Sequence, residues 1–381
     1  MKFVIQREQL VQAVQDVMKA VSSKTTIPIL TGIKINVTED GVTLTGSNSD
    51  ISIETFIPKE DEENEYATIY NCGSIVLQAK FFSEIIKKLP EDTVEIEVGE
   101  QYNTRINSGH AQFHLNGLDP EEYPRLPEIN EKHAIKVPTD LLKHMIRQTV
   151  FAVSTQETRP ILTGVNWRIE NDQLICVATD SHRLALRSTP LEMKDLLPDE
   201  LKNVVIPGKS LNELSKIIDD NHEPIDIVIT ENQILFKTKY LLFFSRLLDG
   251  NYPDTSRLIP EESKTEVIVN VKEFLQSIDR ASLLAREGKN NVVKLTTLSD
   301  GRLEITSNTP EIGKVTEHVY TNSIQGDELK ISFSAKYMMD ALKAIEGSEI
   351  KISFTGAMRP FLIRIPEDDT ILQLILPVRT Y

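Results

Sequence analysis

The sequence predicts an α+β chain in which one helix-and-sheet unit is repeated three times. Three observations lead there. The stretch TTIPILTGIKINVTEDGVTLTGSNSDISI (residues 25–53) lies over ETRPILTGVNWRIENDQLICVATDSHRLA (157–185) at a constant offset of 132 residues, with Pro-Ile-Leu-Thr-Gly common to both. A more diverged copy, KNNVVKLTTLSDGRLEITSNTPEIGKV, occupies 289–315, and Asp300-Gly301 matches the hairpin turn of Asp40-Gly41. The later half of each unit also recurs: LQAKFFSEIIKKLP (77–90), IPGKSLNELSKIID (206–219) and FSAKYMMDALKAIE (333–346) read as helices.

Each element has its own local reason. An amphipathic helix precedes every strand pair, with one apolar face formed by Leu10, Val14, Val17 and Val21, then by Leu142, Ile146, Val150 and Val153, then by Phe274, Ile278, Ala281 and Leu284. The later helices each have a lysine near their start: Lys80, Lys209 and Lys336. After them come the alternating runs TVEIEV, PIDIVI and EIKISF, the pattern of strands with one buried face. DPEEYPRLP (119–127) and DGNYPDTSRLIP (249–260) close the first two units, placing three domains at 1–128, 129–256 and 257–381. Each unit is two similar halves, so six helices and antiparallel sheets are expected. Such an array is not a single enzyme fold.

At 381 residues, 40% hydrophobic and 26% charged, the chain exceeds what one core serves and has the composition of a soluble protein. MKFVIQREQLVQAV lacks a signal peptide's apolar core and no run reaches membrane length, so a cytoplasmic protein without membrane contact is expected. Cys72 and Cys176 show no metal-ligand spacing and read as buried, reduced thiols.

Charge is unevenly spread. Residues 7–24, 139–159 and 271–289 each sum to +1; Lys80, Lys87 and Lys88 against Glu84 add +2, Lys209 and Lys216 against Glu213 add +1, and Lys336 and Lys343 against Asp340 add +1. The helical stretches therefore hold +7 and the remainder −22 within a net −15. That pattern fits a body meeting a polyanion on one face and repelling it elsewhere. No aromatic cluster accompanies the lysines, which points to backbone contact rather than base readout.

Two motifs invite enzymatic readings, and the sequence argues against each. PGKS (207–210) has Asn203 where a phosphate-binding loop needs glycine, and Ala79 and Ala335 replace Gly208 in the sister copies. Asp180, Ser181 and His182 are adjacent and point in different directions, and Thr179-Asp180-Ser181 aligns with Ser47-Asn48-Ser49 and Ser307-Asn308-Thr309, small polar residues of a strand corner. The histidines show no metal spacing; neither metal nor cofactor is expected.

MKF at the start, K-x-x-x-P-I-L, the ATD-x-HRLA corner, YPD…R-LIP and the C-terminal LPVR together resemble the bacterial DNA polymerase III beta subunit, the beta sliding clamp, over the whole length. The resemblance implies three like domains and a head-to-tail homodimeric ring, with helices lining the hole and sheets forming the wall. It implies a non-enzymatic processivity factor around double-stranded DNA, read without sequence preference. Its partners would be the DNA polymerase III alpha subunit, a clamp loader, and other polymerases and repair proteins.

Carried over, the DNA-facing residues are Lys24, Lys80, Lys87, Gln156, Arg159, Lys209 and Lys216, with Pro160 and Ile161 replacing the aromatics frequent in the family. The pocket for a short hydrophobic peptide comprises Thr179, Ser181, His182, Arg183, Leu184, Pro253, Arg257, Leu258, Met358, Pro360, Leu374, Ile375, Leu376, Pro377, Val378 and Arg379. His182, Arg183 and Arg379 would orient peptide polar groups; Ser181 stands where glycine is common, and the tail extends to Thr380-Tyr381. At the dimer contact, Phe113 and Leu115 would meet Leu283 and Leu284 of another copy. The competing readings are a peptide-binding scaffold that never touches DNA and a hydrolase built on Asp180, Ser181 and His182.

Overall fold

In a computed structural model describing residues 1–22, 25–127, 134–191, 198, 201–219, 222–286 and 291–379, the three repeats have the expected order of elements. The first has β1 (Lys2–Gln6), α1 (Arg7–Val17), β2 (Gly32–Val37), β3 (Gly41–Ser47), β4 (Ile51–Pro58), β5 (Ala67–Asn71), β6 (Gly73–Gln78), α2 (Ala79–Lys88), β7 (Thr93–Val98), β8 (Asn103–Ser108) and β9 (Ala111–Asn116). The second has β10 (Ile135–Pro138), α3 (Thr139–Thr149), β11 (Gly164–Glu170), β12 (Gln173–Thr179), β13 (Arg183–Pro190), β14 (Asn203–Pro207), α4 (Gly208–Ser215), β15 (Pro224–Ile229), β16 (Gln233–Lys237) and β17 (Leu241–Arg246). The third has β18 (Thr265–Asn270), α5 (Val271–Ala285), β19 (Val292–Thr297), β20 (Arg302–Thr309), β21 (Gly313–Tyr320), β22 (Ser323–Gly326), β23 (Lys330–Ser334), α6 (Ala335–Ala344), β24 (Glu349–Phe354), β25 (Phe361–Ile365) and β26 (Asp368–Ile375).

These elements form two compact units, one holding residues 1–139 and 213–247, the other 140–191, 201–212 and 248–379. The first unit has a five-stranded sheet, β5-β1-β7-β8-β9, and an eight-stranded sheet, β10-β15-β16-β17-β4-β3-β2-β6. The second has a nine-stranded sheet, β14-β11-β12-β13-β26-β25-β24-β18-β22, and a four-stranded sheet, β21-β20-β19-β23.

The long sheets are joints between repeats. In the first unit β4 pairs antiparallel with β17, from Ile51↔Ser245 to Thr55↔Leu241. In the second, β13 pairs with β26 in the same way, from Arg183↔Ile375 to Arg187↔Ile371. Successive repeats are thus joined by backbone hydrogen bonds. The strands in the corresponding positions at the two ends, β9 and β21, are sheet edges with no such partner among the described residues.

The helices bury the expected residues, with differences at their ends. Leu10, Val14 and Val17 are buried on α1, Leu142 and Ile146 on α3, and Phe274, Ile278 and Ala281 on α5. Short 3-10 turns follow α1 (Met18–Ala20) and α3 (Val150–Ala152), leaving Val21 and Val153 extended and half-buried past the helix; Leu284 is also half-buried. Gly46 explains how α1 reaches its sheet: a Cβ there would sit 2.3 Å from the Val17 carbonyl oxygen. The turn between β11 and β12 places Asn171 and Asp172 at φ 51° and 57°, the mirror-image hairpin geometry that suits right-handed strand twist.

Three expectations are corrected. Cys176 is buried and its thiol pushed up by burial, but Cys72 is exposed. Asn48 and Asp180 cap matching corners, whereas in the third repeat β20 runs through Asn308 to Thr309, paired with Lys314 and Gly313 of β21. That hairpin leaves no corner for the side chain to cap. Lys216 falls just beyond the end of α4 at Ser215 rather than on the helix. No helix among the described residues is long and apolar enough to cross a membrane.

One carboxylate sits against the hydrophobic pattern. Asp16 is 8% exposed on the inward side of α1, held by Gln12 Nε2 at 3.1 and 3.3 Å. Burial raises its pKa to about 6, with Asp219 adding to the rise and Gln12 and Lys19 opposing it. Because the folded chain holds this proton more tightly than the unfolded chain, Asp16 costs nothing below its unfolded pKa; the cost grows as pH rises towards 6 and is full above it. Asp16→Asn should therefore stabilise the protein by about 1–2 kcal/mol at pH 7.5, allowing for partial solvation, and have little effect at pH 4. Urea titrations at both pH values measure this; equal shifts would contradict it.

A candidate docking groove and a basic helix face

The corner between β12 and β13 is built by its own side chains. The Asp180 Oδ1 accepts from the backbone N–H of His182 at 2.9 Å and of Arg183 at 3.1 Å. Asn48 does the same for Asp50 and Ile51, at 2.8 and 2.9 Å. Thr179 donates its hydroxyl to the Arg183 carbonyl at 2.6 Å and accepts from the Ser181 N–H at 3.2 Å. The tight turn puts Ser181 at φ 76°, a left-handed conformation that a glycine adopts without steric cost. His182 and Ser181 are exposed at the tip.

This geometry excludes the hydrolase reading. Among the described residues, the polar contact of the His182 ring is with the Asp180 main-chain oxygen, at 3.4 Å, and Asp180 spends its carboxylate on the corner and on Arg183. Gly208 likewise serves packing: a Cβ there would lie 3.0 Å from the Thr163 carbonyl, and α4 starts directly from β14 with no phosphate-cradling loop.

Arg183 overturns an expectation. It is 7% exposed, and its guanidinium donates to Asp180 Oδ2 at 3.0 Å, Asp340 Oδ2 at 2.7 Å and the Phe151 carbonyl at 2.7 Å. It also lies 4.5 Å from the Tyr337 ring centre. Each of its three guanidinium nitrogens thus has an internal partner, and the side chain holds the corner to α6. Arg257 and Arg379 are exposed, Arg257 pairing with Asp254 at 3.2 Å.

Across the nine-stranded sheet, Leu184, Leu374 and Leu362 are aligned on adjacent strands β13, β26 and β25. With Val177 and Leu372 they form a small apolar cluster, separate from the main core, that half-buried Tyr252, Ile259 and Leu376 extend towards solvent. Ile375 has the opposite orientation and packs in the core with Phe361. Leu376 donates its N–H to the His182 carbonyl at 2.9 Å, and Val378 to the Ser332 carbonyl at 2.7 Å, so the tail is held along the corner. Met358, Val378 and Arg379 line one cavity of about 380 Å³. Leu258 and Met358 are large apolar residues left exposed; Pro253 is exposed, while Pro360 and Pro377 are half-buried.

Of the residues read from the sequence as a pocket, Leu184, Leu374 and Leu376 share the apolar cluster and Met358, Val378 and Arg379 share the cavity, whereas Thr179 and Arg183 are built into the corner and Ile375 into the core. Sequence reading missed Tyr252, whose hydroxyl accepts the Thr179 N–H at 3.0 Å, and Tyr337, whose ring lies under the Arg183 guanidinium and is tilted to the His182 ring with centres 6.4 Å apart. Tyr252 was signalled by its place in the Tyr-Pro-Asp turn; Tyr337 had only its helix position.

The basic residues divide into two groups. Lys80, Lys87, Lys88, Lys209, Lys336 and Lys343, all on α2, α4 and α6, are exposed and have no ion pair among the described residues. Around α3 and α5, Arg147 pairs with Glu346, Arg280 with Glu317 at 2.7 Å and Arg286, just past α5, with Asp279 at 3.3 Å, while Lys272 of α5 is exposed with no ion pair among the described residues. Lys216 pairs with Glu213 at 2.7 Å; Gln156 and Arg159 are exposed on the loop after α3, and Lys24 lies outside the described residues. Phe113, 38% exposed, and half-buried Leu115 lie on the edge strand β9, while Leu283, 60% exposed, and half-buried Leu284 lie near the end of α5.

A threefold helix-and-sheet array with sheets joined between repeats and an apolar cluster at its surface has the architecture of a clamp-type accessory subunit. Models of the N-terminal, central and C-terminal domains of the DNA polymerase III beta subunit match residues 1–127, 136–254 and 256–379. The beta sliding clamp of Bacillus subtilis is 69% identical over the full length of both chains. A crystal structure of the DNA polymerase sliding clamp from Bacillus subtilis superposes with a TM-score of 0.95 over both whole chains, and one from Pseudomonas aeruginosa, 27% identical and bound to griselimycin, with 0.90. The chain belongs to the DNA polymerase III beta subunit family, the beta sliding clamps, and is a processivity subunit rather than a catalytic one.

Two substitutions separate architecture from docking here. Arg183→Met should destabilise the protein by about 2–3 kcal/mol, because it strands two carboxylates, whereas Arg257→Ala should change it by under about 0.5 kcal/mol; thermal denaturation compares them. Ser181→Gly should add about 0.5–1 kcal/mol by relieving the left-handed turn, and Ser181→Ala should leave function intact. Loss of polymerase stimulation in Ser181→Ala would revive a chemical role for the hydroxyl.

Proposed function

We propose that two copies of the chain join head to tail into a closed ring around duplex DNA, and that the corner-and-tail face docks short hydrophobic peptides from replication and repair proteins. The observation that carries the ring is topological. Twice within the chain, a strand of the β4 and β13 type is paired with one of the β17 and β26 type. β21 and β9 are the remaining strands of those two types, and each is an edge. Exposed backbone edges are liabilities that pairing removes, and a β9-to-β21 pairing repeated twice gives a closed two-fold ring. Phe113 and Leu115 on β9, and Leu283 and Leu284 beside β21, supply apolar contact at that joint. The three domains of each copy, 1–128, 129–256 and 257–381, would make six around the ring.

The unpaired lysines of α2, α4 and α6 support a lining that holds phosphates diffusely. Weak, distributed contact keeps the duplex from fixing a register while closure supplies retention. Lys24, Lys80, Lys87, Gln156, Arg159, Lys209 and Lys216 are assigned to it. The partners are then sequence-independent double-stranded DNA, the DNA polymerase III alpha subunit, a clamp loader that opens the ring, and other polymerases and repair proteins, all in the cytoplasm.

Loaded protein should stay on nicked circular DNA at moderate salt and slide off after linearisation; equal retention on both would favour the alternative of a scaffold held without encirclement. Charge reversal of Lys80, Lys87 and Lys209 together should weaken loading at least tenfold and reduce its salt dependence, measured by the same retention assay. Deleting residues 377–381 should abolish polymerase stimulation and leave dimerisation intact by sedimentation. A monomer instead would place the tail in the ring joint.

A further inference from the structure

The cavity at the tail has a chemical character that an apolar peptide does not use. Besides Met358, Val378, Ala357 and Ile331, it is lined by Lys294, Lys330 and Arg379, with Ser332 the remaining polar residue and no carboxylate among the lining. Lys294 of β19 pairs across the ladder with Ser332 of β23, and Lys330 lies two residues before Ser332, so the two lysines share one face as diagonal neighbours. All three cations are exposed, and none has an ion pair among the described residues. A carboxylate close at hand on the next strand, Glu304, pairs across the ladder with Thr296 and has its oxygen 3.8 Å from His318.

We infer that this basic groove receives acidic side chains flanking the hydrophobic motif of a docked peptide. The proposal rests on the docking reading above and extends it: the apolar cluster around Leu374 and Leu376 takes the motif, and the tail residues Val378 and Arg379 lead from it into the cationic groove. Three like charges in a chain of net −15 stand out against their surroundings, and they favour an anionic ligand by Coulomb attraction that salt weakens. The preferred partner segment is therefore bipartite, hydrophobic residues followed or preceded by Asp and Glu.

A random 15-residue peptide library selected on the intact protein, in parallel with Lys294→Ala/Lys330→Ala, tests this. Wild-type protein should enrich peptides with a hydrophobic core and acidic residues on one consistent side, and the double variant should enrich the same core without the acidic bias. A representative acidic peptide should bind the variant about tenfold more weakly at low salt, and its neutral counterpart should bind both proteins alike. Hydrophobic peptides with no acidic bias on wild type would overturn the inference and leave the docking reading standing; selection of no hydrophobic core at all would overturn the docking reading. Acidic bias appearing only after removal of Thr380 and Tyr381 would identify the chain's own C-terminus as the occupant and also overturn the inference.

Discussion

An antiparallel sheet that ends in an unpaired strand leaves a row of backbone donors and acceptors, and the rest of this architecture follows from how those rows are satisfied. Inside the chain they are satisfied between repeats: β4 with β17, β13 with β26. The joints make one sheet of eight strands and one of nine out of halves that are too short to be so extensive alone. They also fix where the docking corner lies, because the β12–β13 turn and the tail after β26 are brought side by side by the same ladder. Leu184 and Leu374 face each other because of that register, and a one-residue slip would turn the cluster inward.

Much of this was legible before any coordinates. The 132-residue offset maps β3 and β4 onto β12 and β13 residue for residue, and the runs TVEIEV, PIDIVI and EIKISF are strands from first residue to last. Repetition made this possible, since each copy checks the others. What repetition could not show was orientation. Leu374, Ile375 and Leu376 are one apolar run in sequence, and only the pleat assigns the middle residue to the core. Arg183 reads as a ligand-facing cation until Asp180, Asp340 and the Phe151 carbonyl are seen around it, two of them distant in sequence. Charge counting had the same blind spot: Arg147 adds to a helix's positive total, yet Glu346 just past α6 takes it.

The electrostatics that remain are economical. A cation already paired contributes little field, so the unpaired lysines of α2, α4 and α6, together with Lys272 of α5, weigh more than the paired arginines around α3 and α5. At the β12–β13 corner, buried Arg183 and Thr179 set the backbone while His182, Leu258, Met358 and Arg379 stay exposed, so the docking proposed above keeps architecture and recognition separate. A scaffold kept distinct from its contact residues can meet several partners without losing its fold.

Everything proposed about encirclement depends on β9 and β21 being paired across copies. Hydrogen–deuterium exchange of their backbone amides measures that directly. At high protein concentration the amides of β9 and β21 should be protected comparably to those of the internal joint strands β4 and β17, and dilution or Phe113→Asp should release them while β4 and β17 stay protected. Rapid exchange in β9 and β21 at every concentration, with the internal joints protected, would contradict the ring.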